Sequence, residues 1–93
     1  MEQFVENLYP GFVLRHAAGT WRLLDLTHPE LPYKKPLQLN ESGAFIYERL
    51  SSGESVSEIA SELSKEFSVP LEDVSKDVEE FVSQLRAYGV PLA

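Results

Sequence analysis

The spacing of apolar positions changes character along the chain and separates a strand-like first part from a helical second part. Phe12-Val13-Leu14-Arg15-His16 and Trp21-Arg22-Leu23-Leu24-Asp25-Leu26 are short runs rich in β-formers, with Ala17-Ala18-Gly19-Thr20 between them. A four-residue connection containing glycine, flanked by such runs, predicts a β-hairpin. Alternation puts Trp21, Leu23 and Asp25 on one face of the second strand, and Arg22, Leu24 and Leu26 on the other. Because the polar Arg22 interrupts that second face, the pattern leaves open which face is buried. Thr27 to Pro36 carries Pro29, Pro32 and Pro36, which stop both helix and ladder and predict an exposed excursion. Leu37-Gln38-Leu39 then alternates as a short half-buried strand would.

From Asn40 onward the period becomes helical. Asn40 suits the N-cap of a helix over Glu41 to about Ser52, with Glu41 at its positive end and Gly53 at the left-handed position that closes it. Phe45, Ile46 and Leu50 form its stripe, and Gly43 sits inside it at a cost of about 1 kcal/mol relative to alanine unless a close approach requires it. Ser55-Val56-Ser57-Glu58 matches a capping box and opens a second helix with Val56, Ile59, Ala60, Leu63 and Phe67 on one face. Pro70, followed by Glu72 and Asp73, opens a third. Leu71, Val74, Val78, Phe81, Val82, Leu85 and Tyr88 make its stripe, and Gly89 and Pro91 end it. The order predicts an α+β fold of winged helix-turn-helix type, a small three-stranded antiparallel sheet followed by three helices. Residues 1–10 are expected to form an N-terminal arm, with Phe4, Val5 and Leu8 as a docking turn, and residues 11–93 the domain.

Composition narrows the chemistry. The 93 residues suffice for one modest core, and the absence of cysteine excludes disulfides, thiolate metal sites and cysteine nucleophiles. His16 and His28 are the only histidines, and Asp25-x-x-His28-x-Glu30 has no recognised ligand spacing, so no metal and no cofactor is expected. The scattered glycines form no phosphate loop, and the many serines fit caps and exposed helix positions rather than a nucleophile elbow. No apolar run approaches a membrane span, and the first ten residues lack a signal peptide's basic start, so a cytoplasmic location is expected. The net charge of −7 lies wholly in residues 41–93, a surface that repels phosphate backbones and attracts basic partners.

Four blocks, Gly11–Leu26 (GFVLRHAAGTWRLLDL), Pro36–Gly53 (PLQLNESGAFIYERLSSG), Ser55–Leu63 (SVSEIASEL) and Asp77–Leu85 (DVEEFVSQL) with Tyr88-Gly89-Val90, together resemble the PqqD-like family in order and spacing. The resemblance implies a non-catalytic recognition element. Such an element binds the leader segment of a ribosomally made precursor peptide and presents it to a maturase, often a radical-SAM enzyme. It implies further that the leader adds as an extra strand beside the third strand, in a cleft walled by the third helix. Carried onto this chain, the peptide-binding residues are Leu37, Gln38, Leu39, Val74, Asp77, Val78 and Phe81. On that reading a proline at Leu39 blocks a hydrogen bond to the peptide. The Thr27–Pro36 excursion departs from the family's glycine-containing connection.

The competing reading is a DNA-binding winged-helix regulator. Its recognition helix needs Arg or Lys, yet the third helix sets Lys76 and Arg86 against Glu72, Asp73, Asp77, Glu79 and Glu80, a net charge of −3. A small enzyme has no constellation to stand on, because adjacent acids such as Glu79 and Glu80 diverge by about 100° around a helix.

Overall fold

The computed structural model describes residues 9–28 and 34–92. The expected docking turn at Phe4, Val5 and Leu8 lies outside the described residues, as do Pro29 and Pro32 of the excursion. The elements run β1 (Phe12–Ala17), β2 (Thr20–Asp25), β3 (Leu37–Leu39), α1 (Glu41–Ser51), α2 (Val56–Phe67) and α3 (Leu71–Tyr88). The sheet is antiparallel in the order β1-β2-β3, so the α+β expectation of three strands followed by three helices holds.

The hairpin is tighter than the sequence pattern suggests. Ala17 and Thr20 belong to the strands and pair with each other, leaving a two-residue turn of Ala18 (φ 52°) and Gly19 (φ 76°). Two successive positive φ values match the type I′ geometry, whose twist suits a hairpin. Alanine carries a steric cost there that glycine does not, which is why an Ala-Gly pair is a weak turn signal in sequence.

The structure also decides the face that patterning left open. Phe12, Leu23 and Leu39 are buried, while Val13, Arg15, Arg22 and Gln38 are exposed, so Trp21, Leu23 and Asp25 turn inward and Arg22 and Leu24 turn out.

The caps work as anticipated. The Asn40 side chain accepts the Gly43 N–H at 2.8 Å. Ser55 and Glu58 form a reciprocal capping box. Gly53 (φ 93°) and Gly89 (φ 112°) stand just past α1 and α3.

Ile59 and Leu63 of α2 meet Val74, Val78, Val82 and Leu85 of α3 in one core with Leu23, Ile46 and Leu50. Val56 and Phe67, expected on the same α2 face, are 37% and 46% exposed, because the two ends of that stripe overhang the core. Tyr9, from the segment expected to be an arm, is buried, with its ring centre 6.0 Å from that of Tyr47.

Candidate functional site

β3 is an edge strand: β2 pairs with it on one side, and no strand among the described residues pairs with it on the other. The hydrogen-bonding phase of the sheet decides which of its backbone groups face outward. In a two-residue hairpin the residues flanking the turn exchange both backbone bonds, and bonded and non-bonded pairs then alternate. From Ala17↔Thr20 the bonded pairs are therefore Arg15↔Arg22 and Val13↔Leu24. The bond from the Leu26 N–H to the Gly11 carbonyl at 2.7 Å continues the same phase.

Arg22 and Leu24 thus turn their backbone groups to β1, and Trp21 and Leu23 turn theirs to β3. Trp21 pairs with Leu39 and Leu23 with Leu37. Leu37 and Leu39 consequently point their N–H and C=O groups into the sheet, and Gln38 points both of its own outward. The expectation that Leu39 offers the outward hydrogen bond is reversed, because phase is passed across two strands from the turn and cannot be read from β3 alone.

Beside this edge the helices form a cleft. A Cβ placed on Gly43 would lie 3.1 Å from the Phe81 ring and 3.4 Å from the Leu39 Cβ, so α1, α3 and the end of β3 converge there. A cavity of about 370 Å³ is lined by Ser42, Gly43, Ile46, Asp77, Glu80 and Phe81 among others. A second, of about 410 Å³, shares Ser42, Ile46 and Asp77 and adds Leu63, Phe67 and Val74. Its floor is apolar and its rim is acidic.

The expected residues divide accordingly. Leu37, Gln38 and Leu39 form the edge, Asp77 lines both cavities, and Phe81 and Val74 line one each. Val78 lines neither cavity and is fully buried, so its side chain belongs to the core and not to the cleft wall. Helical periodicity placed it with Val74 and Phe81, but only the packing of α2 against α3 separates the buried part of that stripe from the part facing the cleft.

Sequence reasoning missed a polar cluster at the C-terminal end of α3. The Lys34 ammonium donates to Asp25 and to the Tyr88 backbone carbonyl, and lies 4.2 Å from the centre of the Tyr88 ring. The Tyr88 hydroxyl donates to the Leu23 carbonyl at 3.1 Å, and the Thr27 N–H donates to Asp25 at 2.9 Å. These contacts pin the end of the excursion and the last turn of α3 to the sheet. A signal existed: an acid sharing a strand face with Trp21 and Leu23 needs a cation.

Burial pushes the Asp25 carboxyl up, but hydrogen bonds from Lys34 and Thr27 and the Lys34 charge outweigh it and hold it at about 2, against an ordinary 3.8. A depressed carboxyl stabilises the fold above its unfolded value, and that contribution disappears as pH falls through the folded one. Asp25→Asn is therefore expected to lower Tm at pH 6, and the gap from the parent protein should close between pH 4 and pH 2. Thermal melts across that range would show the narrowing, and a gap of constant size would mean that the charge of Asp25 is not what matters.

Among the described residues no group of three or more His, Asp or Glu side chains could hold a metal, and no helix is long and apolar enough to cross a membrane.

No curated protein matches the chain. A solved structure described as lasso peptide synthetase B1 complexed with the leader peptide is similar with a TM-score of 0.72 and 27% identity, over 87% of this chain and 89% of that one. A second, TbiB1 in complex with the TbiA(beta) leader peptide, has a TM-score of 0.72 at 23% identity, over 90% of this chain and 92% of that one, and shares the fold. The family model for coenzyme PQQ synthesis protein D (PqqD) matches residues 24–90, a span that holds the open edge, the cleft and the Lys34 contacts. By that match the chain belongs to the PqqD family.

Proposed function

We propose that this protein is a non-catalytic recognition domain. It captures the leader segment of a ribosomally made precursor peptide as a fourth strand on β3 and presents the remainder to a separate modifying enzyme. The observation that carries the reading is the outward-facing N–H and C=O of Gln38 beside a cleft that sets the Phe81 ring among the polar groups of Ser42, Asp77 and Glu80 and continues into an apolar cavity at Leu63, Phe67 and Val74. An exposed ladder accepts an extended peptide whatever its side chains, and pockets for alternate side chains then add preference. Membership of the PqqD family, and the leader peptide named in the similar B1 structure, support the same role.

The acidic rim at Asp77 and Glu80 favours Lys or Arg on the side of the peptide facing α3, each exposed contact contributing roughly 0.2–1 kcal/mol. The partner enzyme is proposed at the level of a peptide-modifying enzyme; the radical-SAM class rests on the sequence resemblance alone. The same reading places the protein in the cytoplasm, where precursor peptides are made. DNA binding is not favoured, since α3 carries a net charge of −3 where a recognition helix needs cations.

The test uses peptides selected on the intact protein from a displayed random library. Binding is expected to slow amide hydrogen exchange at Gln38, while Leu37 and Leu39, already bonded within the sheet, change little. A bound peptide that left Gln38 exchanging freely would rule out strand addition.

A further inference from the structure

One row of side chains crosses the outer face of the sheet and ends at the open edge. Arg15 lies directly opposite Arg22, and Arg22 lies directly opposite Gln38. All three are exposed. Like charges placed directly across a strand pair repel and destabilise the sheet. Among the described residues neither guanidinium has a carboxylate partner, since the ion pairs there involve Lys34 and Arg49. Fifteen Asp and Glu residues accompany eight Lys and Arg in this chain, so two adjacent unneutralised cations are an exception to its general charge.

We propose that this row reads an acidic side chain on the incoming leader strand, an inference that rests on strand addition at β3. Parity supplies the register. The incoming residue opposite Gln38 shares the outer face with Gln38 and Arg22, and its two neighbours point inward to the cleft. Strands are spaced about 4.8 Å apart, so roughly 9.6 Å separates the Arg22 backbone from the incoming one. An extended arginine lying over Gln38 and a glutamate reaching back can span that gap together, and the Gln38 amide can donate to the same carboxylate.

The preferred leader segment therefore carries Glu or Asp at the outward position, with apolar or long-stemmed residues on either side of it. The carboxylate also relieves the Arg15–Arg22 repulsion, so the site gains on binding what the free sheet lacks.

The experiment selects random decapeptides on the parent protein and on Arg22→Glu, and sequences both pools. The parent pool is expected to show acid enrichment at one position flanked by apolar residues or by Lys or Arg. In the Arg22→Glu pool that position should turn to Lys or Arg while its neighbours stay the same. For a single selected peptide, exchanging its acid for lysine should weaken binding to the parent about fivefold, the upper reach of one exposed ion pair, and should strengthen binding to Arg22→Glu.

Replacing one of two repelling cations should raise Tm, so loss of fold does not confound the variant, and Arg22→Gln should lose the preference without inverting it. Acid enrichment that persists in the Arg22→Glu pool would overturn the inference, as would a parent pool indifferent to charge. In either case a peptide that still protects the Gln38 amide leaves strand addition standing. Peptides that bind without protecting Gln38 would overturn both.

Discussion

A Gln38→Pro variant is expected to keep its fold and lose at least tenfold in peptide affinity, whereas Leu39→Pro is expected not to fold. Proline removes a backbone N–H and is tolerated in a sheet only where that N–H faces away from a partner strand. At Gln38 it faces the open edge, and the restriction that proline places on Leu37 is one an extended residue already meets. An incoming strand loses a ladder bond worth about 0.5–1.5 kcal/mol net, and the pyrrolidine ring stands where its carbonyl must approach.

At Leu39 the same change deletes a bond internal to the sheet, leaves the Trp21 carbonyl without its donor and removes a leucine side chain that is 6% exposed. An orphaned buried group costs about 1–3 kcal/mol and a lost core leucine about 2–5, against a total of about 5–15 for a small domain. Circular dichroism melts and fluorescence anisotropy with one selected peptide distinguish the two variants. Normal peptide binding by a folded Gln38→Pro protein would show that the ladder is not used.

The contrast between those neighbouring positions marks where the sequence stops being informative. Capping residues are local signals, so Asn40, the Ser55–Glu58 box and Gly89 placed the helix ends without knowledge of the fold. The edge strand was also legible, since three alternating residues between a proline-rich stretch and an N-cap have few other uses.

What lay beyond the sequence depended on distant pairings. The phase of β3 is set at Ala18-Gly19, two strands away. The partner of Asp25 is Lys34, across the excursion, and both meet Tyr88 at the far end of the last helix. Val78 and Phe81 look alike on a helical wheel, yet the first is sealed against α2 while the second is half-buried at the cleft.

Charge shows the same division. The acidic excess of the helical half was plain in the sequence, but the pairing of Arg15 with Arg22 required the register. With a peptide added at β3, the protein would present two polarities to successive residues of that strand. Acids at Asp77 and Glu80 border the inward side, and cations lie on the outward side. An extended peptide alternates its side chains between those sides, so the domain can test charge at successive residues with different signs. A uniformly basic or uniformly acidic leader would satisfy only one of them.

Gly43 tests whether the Phe81 ring is the floor on which such a peptide rests. Gly43→Val is expected to lower peptide affinity tenfold or more and to lower Tm. A glycine in the first turn of α1 costs about 1 kcal/mol relative to alanine, so a larger residue would stabilise the helix if space were free. It is not. A Cβ there would stand 3.1 Å from both the Phe81 ring and the Asn40 side-chain oxygen, and that oxygen caps the helix by accepting the Gly43 N–H at 2.8 Å.

The cap holds the backbone in place, so the two further methyl groups of valine must displace the ring, and its open direction is the cleft. Overpacking of this kind costs about 1–3 kcal/mol, which in a domain of this size lowers Tm by about 4–8 °C per kcal/mol. Gly43→Ala should be milder in both respects, its gain in helix propensity offsetting a displacement of a few tenths of an ångström. Trimming the ring should compensate, so Gly43→Val with Phe81→Leu should bind better than Gly43→Val alone, a coupling that additive effects on stability cannot produce. If Gly43→Val unfolds at lower temperature yet binds a selected peptide as the parent does, the ring at Phe81 supports the core and takes no part in recognition.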